Sequence, residues 1–264
     1  MPLTFPSHSA IVVPLKLWRP RWFDGVALVL GSTAPDLPYS VFAVLPDTPS
    51  AHNLWGVLLW CLPVTLLGCR LTRWAAPAVA ASLPGWGRDY AVLGGVRHPW
   101  YVTVCSALLG AGSHLFWDGF THDPAGHGWA TGVLTPLGTE VAGTPLWWFL
   151  QQGSTVFGAL AVAGLVILVG RRGLLRQWHG EPPQVEGRPG LLWGVAGGVT
   201  ALLALVSFLL PAAWFTAVIG VRLLESAGLG LLAGAWAVRV FPGQDGTYGV
   251  PHRARHHGRG PGSG

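Results

Sequence analysis

The chain has 264 residues, of which 51% are hydrophobic and only 10% charged, against about 25% charged in ordinary soluble domains. Fifteen tryptophans and 38 glycines add the interface-seeking and helix-packing residues of a protein embedded in a bilayer. The net charge of +5 sits on arginines at the ends of apolar runs, with no basic face interleaved with aromatics, so nucleic acid is excluded as a partner.

In chain order, Ser7 suits the cap of a short helix reaching Trp18 and interrupted by Pro14, with Lys16, Arg19 and Arg21 in and after it. A first apolar span runs from Phe23 to Leu45, broken by Ala34-Pro35-Asp36-Leu37-Pro38. The second, Leu54 to Cys69, is short for a crossing of about 20 residues. The third is Trp100 to Trp117, and Asp123-Pro124 ends the helix beyond it. Leu146–Gly170, Leu191–Leu210 and Ala213–Val240 complete six. The fold expected is all-α: a polytopic helical bundle with a short N-terminal helix. Residues 1–180 form its site-bearing part, 181–240 a C-terminal helix pair, and 241–264 a disordered basic tail.

Lysine and arginine alternate loop by loop. They lie before span one, between spans two and three, between four and five, and after six. The loops 46–53, 118–145 and 211–212 hold none. The positive-inside rule therefore puts both termini in the cytoplasm of a multi-pass cell-membrane protein, with the bare loops outside. Cys61, Cys69 and Cys105 lie in apolar runs without metal-type spacing and read as inert core thiols.

Chemistry concentrates at the outer ends of spans one to three. His114, Asp118 and His122 recur every fourth residue, so on a helix they share one stripe at about 6 Å steps. Carboxylate and imidazole are zinc-type donors. With Asp36 and His52 they converge on one side of the membrane, where a cation would offset the cost of burying carboxylates among apolar helices. Each residue also has a plainer reading. Asp36 could cap a helix break, and His52 could flank an apolar span. His114 and Asp118 could simply be hydrogen-bonded one turn apart, and His122 could end its helix. Asp123 and His127 read as solvated. Gln151 and Gln152 could bond neighbouring helices or touch substrate, and Gln152 is the candidate substrate contact. Arg222 and Glu225, three apart in the last span, suit an intramembrane ion pair. No phosphate loop, Gly-x-Ser-x-Gly elbow or His-Glu-x-x-His pattern is present.

Thr4-Phe-Pro-Ser-His8, Gly31-Ser-Thr-Ala-Pro-Asp-Leu-Pro-Tyr39 and Gly112-Ser-His-Leu-Phe-Trp-Asp-Gly-Phe-Thr-His122 resemble the DUF4184 type of actinobacterial membrane protein over residues 1–170. That family in turn resembles the YdjM-like membrane-bound metal-dependent hydrolases. A more distant similarity is to zinc phospholipase C and P1 nuclease. By that resemblance Asp36, His52, His114 and Asp118 would surround one metal, and Asp118 would bridge to a second held also by His8. Asp36 would then be the general base. His8 joins the set only if residues 1–18 form an arm rising into the bundle, because the charge rule holds Lys16 on the cytoplasmic side. The resemblance implies a divalent metal, zinc above all, and hydrolysis of a phosphoester in a lipid or lipid-linked substrate. A transporter or ion-handling protein, or a non-catalytic scaffold, are the rival expectations.

Overall fold

The computed structural model describes residues 7–48, 50–123 and 135–241. The tail 242–264 and His127 lie outside the described residues, as do residues 1–6. About three-quarters of the described residues are helical, and the strands among them are one short hairpin, β1 (Glu140–Val141) and β2 (Thr144–Pro145).

The arm forms α1 (Ser9–Trp18), which continues through Pro14 instead of breaking there, and its N-cap position is held by His8 rather than Ser7. Asp24 caps α2 (Gly25–Thr33) by accepting from the Ala27 N–H at 3.3 Å. At nine residues α2 is only about 14 Å long, half a bilayer core. Pro35 and Pro38 lack the N–H groups an α ladder needs, so the chain tightens into 3-10 turns over Ala34–Val41. That break sets Asp36 at the end of a half-length helix.

Asn53 caps the next helix through the Gly56 N–H at 2.9 Å. This helix, α3 (Leu54–Ala81), has 28 residues and runs well past the boundary expected at Cys69. Neither Pro63 nor Pro77 ends it; the helix stops only at Ser82-Leu-Pro-Gly85, and Arg73, expected in a loop, is held inside it by the Asp24 carboxylate. A widened π turn covers Val57–Cys61 beside Pro63. Further 3-10 turns (Gly85–Gly94) lead to α4 (Trp100–Thr121). Then come α5 (Leu146–Arg171), the short α6 (Leu174–His179), α7 (Pro189–Leu209) and α8 (Thr216–Val240).

Four helices, α3, α5, α7 and α8, are long and apolar enough to cross a membrane. α4 has 22 residues and carries Thr103, Ser106, Ser113, His114 and Asp118 among its apolar side chains. Its polar groups face inward, since Thr103, Ser106, His114 and Asp118 are all buried.

The α2–α4 crossing holds the bundle together around the break. A Cβ at Gly31 would lie 2.3 Å from the Ala107 carbonyl oxygen, and one at Gly110 would lie 2.5 Å from that of Leu28. Small residues thus let two backbones touch, which is how helices associate where lipid removes the hydrophobic drive. Next to the crossing, Ala34, Ala51, Val57, Cys61 and Ala111 form an apolar cluster.

The hairpin α7–α8 packs on α3 and on the 34–41 turns. Its Arg222 does not pair with Glu225. The buried guanidinium instead donates to the carbonyls of Ser40 (2.8 Å), Pro211 (2.9 Å), Phe42 (3.1 Å) and Ser207 (3.5 Å). The reason is geometric: the turn after Val41 leaves backbone oxygens without helical partners, and a planar fork of five donors satisfies several at once.

Candidate metal centre

At one end of this bundle four elements bring their polar groups to one point. The α2–α4 contact sets the Ser32 carbonyl 2.8 Å from His114 Nδ1. A carbonyl only accepts, so Nδ1 carries a proton and Nε2 is the nitrogen turned toward the carboxylates. His114 is fully buried, and Nε2 has no hydrogen-bond partner.

Asp118, one turn on, divides its oxygens. Oδ2 lies 3.2 Å from His114 Nε2 and 3.4 Å from His52 Nε2. Oδ1 lies 3.5 Å from His122 Nδ1 and 3.6 Å from His8 Nε2. Asp36 Oδ1 closes the first group, 3.4 Å from His114 Nε2 and 3.6 Å from His52 Nε2. Two clusters result. Asp36, His52 and His114 have ligand atoms within 4.8 Å of one another, as do His8, His114 and Asp118.

Each contribution has a local cause. The proline break aims Asp36. Asn53 caps α3 just after His52, and Gly56 lets that loop fold onto the helix, since a Cβ there would sit 2.1 Å from the Ser50 oxygen. His8 arrives on the arm, which does rise into the bundle. Its ring stacks on His114 with centroids 3.8 Å apart, and the Ser9 and Ser32 hydroxyls meet at 2.9 Å. Gly158 of α5 clears the path, because a Cβ there would strike Ser7 at 2.3 Å.

The electrostatics favour a cation. Both ring nitrogens of His8, Nε2 of His114 and Oδ1 of Asp118 are buried without a hydrogen-bond partner. Leaving such atoms unsatisfied costs about 1–3 kcal/mol each. Two carboxylates and four imidazoles form the donor set that zinc and its neighbours take, so the residues fit a divalent metal. His52, at the rim, shows the same field. Burial alone would lower its pKa, yet the contacts with Asp118 and Asp36 raise it to about 9.

Further out, His122, Asp123, Trp147, Trp148, Gln151, Gln152 and Thr216 line an open cavity of about 470 Å³. Gln152 is therefore placed beside the centre, but its neighbour makes the contact. Gln151 is buried, and its Nε2 lies 3.2 Å from His122 Nε2. As placed, the amide donates and sets the His122 proton on Nδ1; a metal at Nδ1 requires the amide turned so that its oxygen accepts from Nε2–H. Sequence spacing could not choose between the adjacent glutamines, because which one faces α4 depends on how α5 is rotated. The Ser32 carbonyl was likewise invisible, being backbone; only the small residues at 31 and 110 hinted at a close approach.

No curated protein and no solved structure matches the chain. The family model described as a domain of unknown function, DUF4184, matches residues 1–237, and the chain belongs to that family.

Proposed function

We propose that this protein is an integral-membrane metal-dependent hydrolase acting at the outer face on a phosphoester of a lipid or lipid-linked substrate. The observation that carries the reading is the set of four buried, unpartnered nitrogen and oxygen atoms on His8, His114 and Asp118. Asp36, His52, His114 and the Oδ2 side of Asp118 would hold one cation; His8, His122 and the Oδ1 side would hold a second. A zinc-type ion supplies a Lewis acid for the phosphoryl oxygen and acidifies bound water.

The chain's own groups do the rest. Asp36 accepts the proton of the attacking water, acting as general base at the rim of the centre. The Ser32 carbonyl fixes the tautomer of His114, and Asp118 joins the two histidine groups. Gln152, Trp147 and Trp148 border the open cavity in which a headgroup would lie. The distribution of lysine and arginine supports six crossings, both termini in the cytoplasm and the centre outside.

The test uses full-length protein in detergent, with metal content by mass spectrometry and hydrolysis of a generic phosphodiester. Asp118→Asn and His114→Ala are expected to lose the metal and at least about 100-fold in activity, the scale of losing a metal-site group. Metal retained in both variants would overturn the reading. A second reading, an ion-handling protein, is favoured by the broken first span with its carboxylate at the break, the pattern of cation sites in discontinuous helices. Cation flux in liposomes without hydrolysis would select it.

A further inference from the structure

At the opposite end of the bundle a second group of charges borders an apolar cavity of about 290 Å³. Val13 and Leu17 of α1, Val29 and Leu30 of α2, and Leu165 of α5 are among its walls. α6 covers it: Gly173 (φ 59°) and Gly180 (φ 89°) turn the chain at either end of that helix. Leu175, Trp178 and His179 then line the cavity while Arg176 reaches outward to Asp89 at 2.6 Å. Lys16, Asp24, His98 and His179 form the polar rim.

That rim is short of acceptors. Asp24 is already engaged by Arg73, by the Thr103 hydroxyl at 2.8 Å and by the Ala27 N–H. Lys16 Nζ donates to the Pro20 and Phe23 carbonyls at 2.6 and 2.9 Å and lies 5.5 Å from the Trp178 ring centroid. Nε2 of His98 and Nε of Arg73 are buried with no partner. Burial lowers Lys16 to about 8 despite the lift from Asp24, so it is cationic at neutral pH. Burial, Lys16 and His98 push His179 down to about 4, leaving it neutral. Asp24 is thus taken up by Arg73 behind the wall, and Lys16 is the cation left at the cavity without a carboxylate of its own.

We propose that this cavity binds one acyl chain bearing an anionic headgroup, the chain lying among Val13, Leu17, Val29, Leu30 and Leu165 and the headgroup accepting from Lys16 and His98. A neutral apolar guest would leave the third Lys16 donor and His98 Nε2 without a partner, and a small inorganic anion would leave the walls unfilled. Only an anionic amphiphile satisfies both. The site is independent of the metal centre.

Full-length protein in neutral phosphatidylcholine nanodiscs is titrated with palmitate, lysophosphatidylglycerol or monopalmitoylglycerol, and binding is read by native mass spectrometry. The anionic ligands are expected to bind at least about tenfold more tightly than the neutral glyceride, and Lys16→Met to erase that preference. Leu165→Trp, which fills the cavity, is expected to abolish binding of all three while metal content at the far end stays unchanged. Preference for palmitate identifies a free fatty acid as the ligand, and preference for the lysolipid a phospholipid; either supports the site. Equal binding of the neutral glyceride to unaltered protein overturns it, a comparison that stands even where a variant fails to fold. Binding that survives Leu165→Trp overturns it as well.

Discussion

Asp118 is the residue on which the centre turns, because its two oxygens serve different histidines. Removing a peripheral group should therefore affect one metal position more than the other. Gln151→Leu takes away the amide that orients His122 without touching His52, Asp36 or His114. The expected result is loss of the weaker-bound metal equivalent with the tighter one retained, read as a fall in metal stoichiometry in equilibrium dialysis. Such partners of a ligating histidine typically contribute about 10–100-fold in metal affinity. Unchanged stoichiometry and affinity would remove His122 from the ligand set. Much of this centre was legible in the sequence because the residues are of the wrong kind for their setting. An aspartate within Leu-Phe-Trp-Asp-Gly, four residues after a histidine, invites a partner. The plainer reading of Arg222 and Glu225 rested on the same spacing logic and failed, because the nearest acceptors for an arginine were carbonyls that only the fold reveals.

At the level of helices, the close approach of α2 and α4 does two jobs: it holds the bundle and presents the Ser32 carbonyl to His114. Gly110→Val is expected to force the helices apart, since its Cβ would already sit 2.5 Å from a backbone oxygen. Overpacking of this kind costs about 1–3 kcal/mol or more and should appear as a lower midpoint of thermal unfolding together with lost metal. Gly112→Ala on the same helix meets nothing within 4 Å and should leave both unchanged. Equal effects of the two would mean that the crossing does not position the site. The proline break over residues 34–41 could be read in advance, since proline acts through its own missing donor. The continuation of α3 to Ala81 could not, because arginine is a good helix former and its burial depended on Asp24, 49 positions away.

For the molecule as a whole, the buried, unpartnered atoms of His8, His114 and Asp118 carry an unrelieved cost that a bound cation would offset. Added zinc is therefore expected to raise thermal stability, by about 2.7 kcal/mol at a hundredfold excess over the dissociation constant. The shift should vanish in His114→Ala. A zinc shift that persists in that variant would place the stabilising ion elsewhere. Composition and hydropathy gave the bundle its class, since apolar runs at this length have few alternatives. They could not give the direction of the arm, which depends on three-dimensional contacts.

The stacking of His8 on His114 has a temporal consequence. A histidine near the start of the chain must wait for partners that the ribosome makes only after three further helices. The arm cannot take its seat between α2, α4 and α5 until those helices have been made and packed. On the proposed function, loading of an ion would then be a late checkpoint of biogenesis: a chain whose helices assemble in the wrong order would never gather the side chains that hold it.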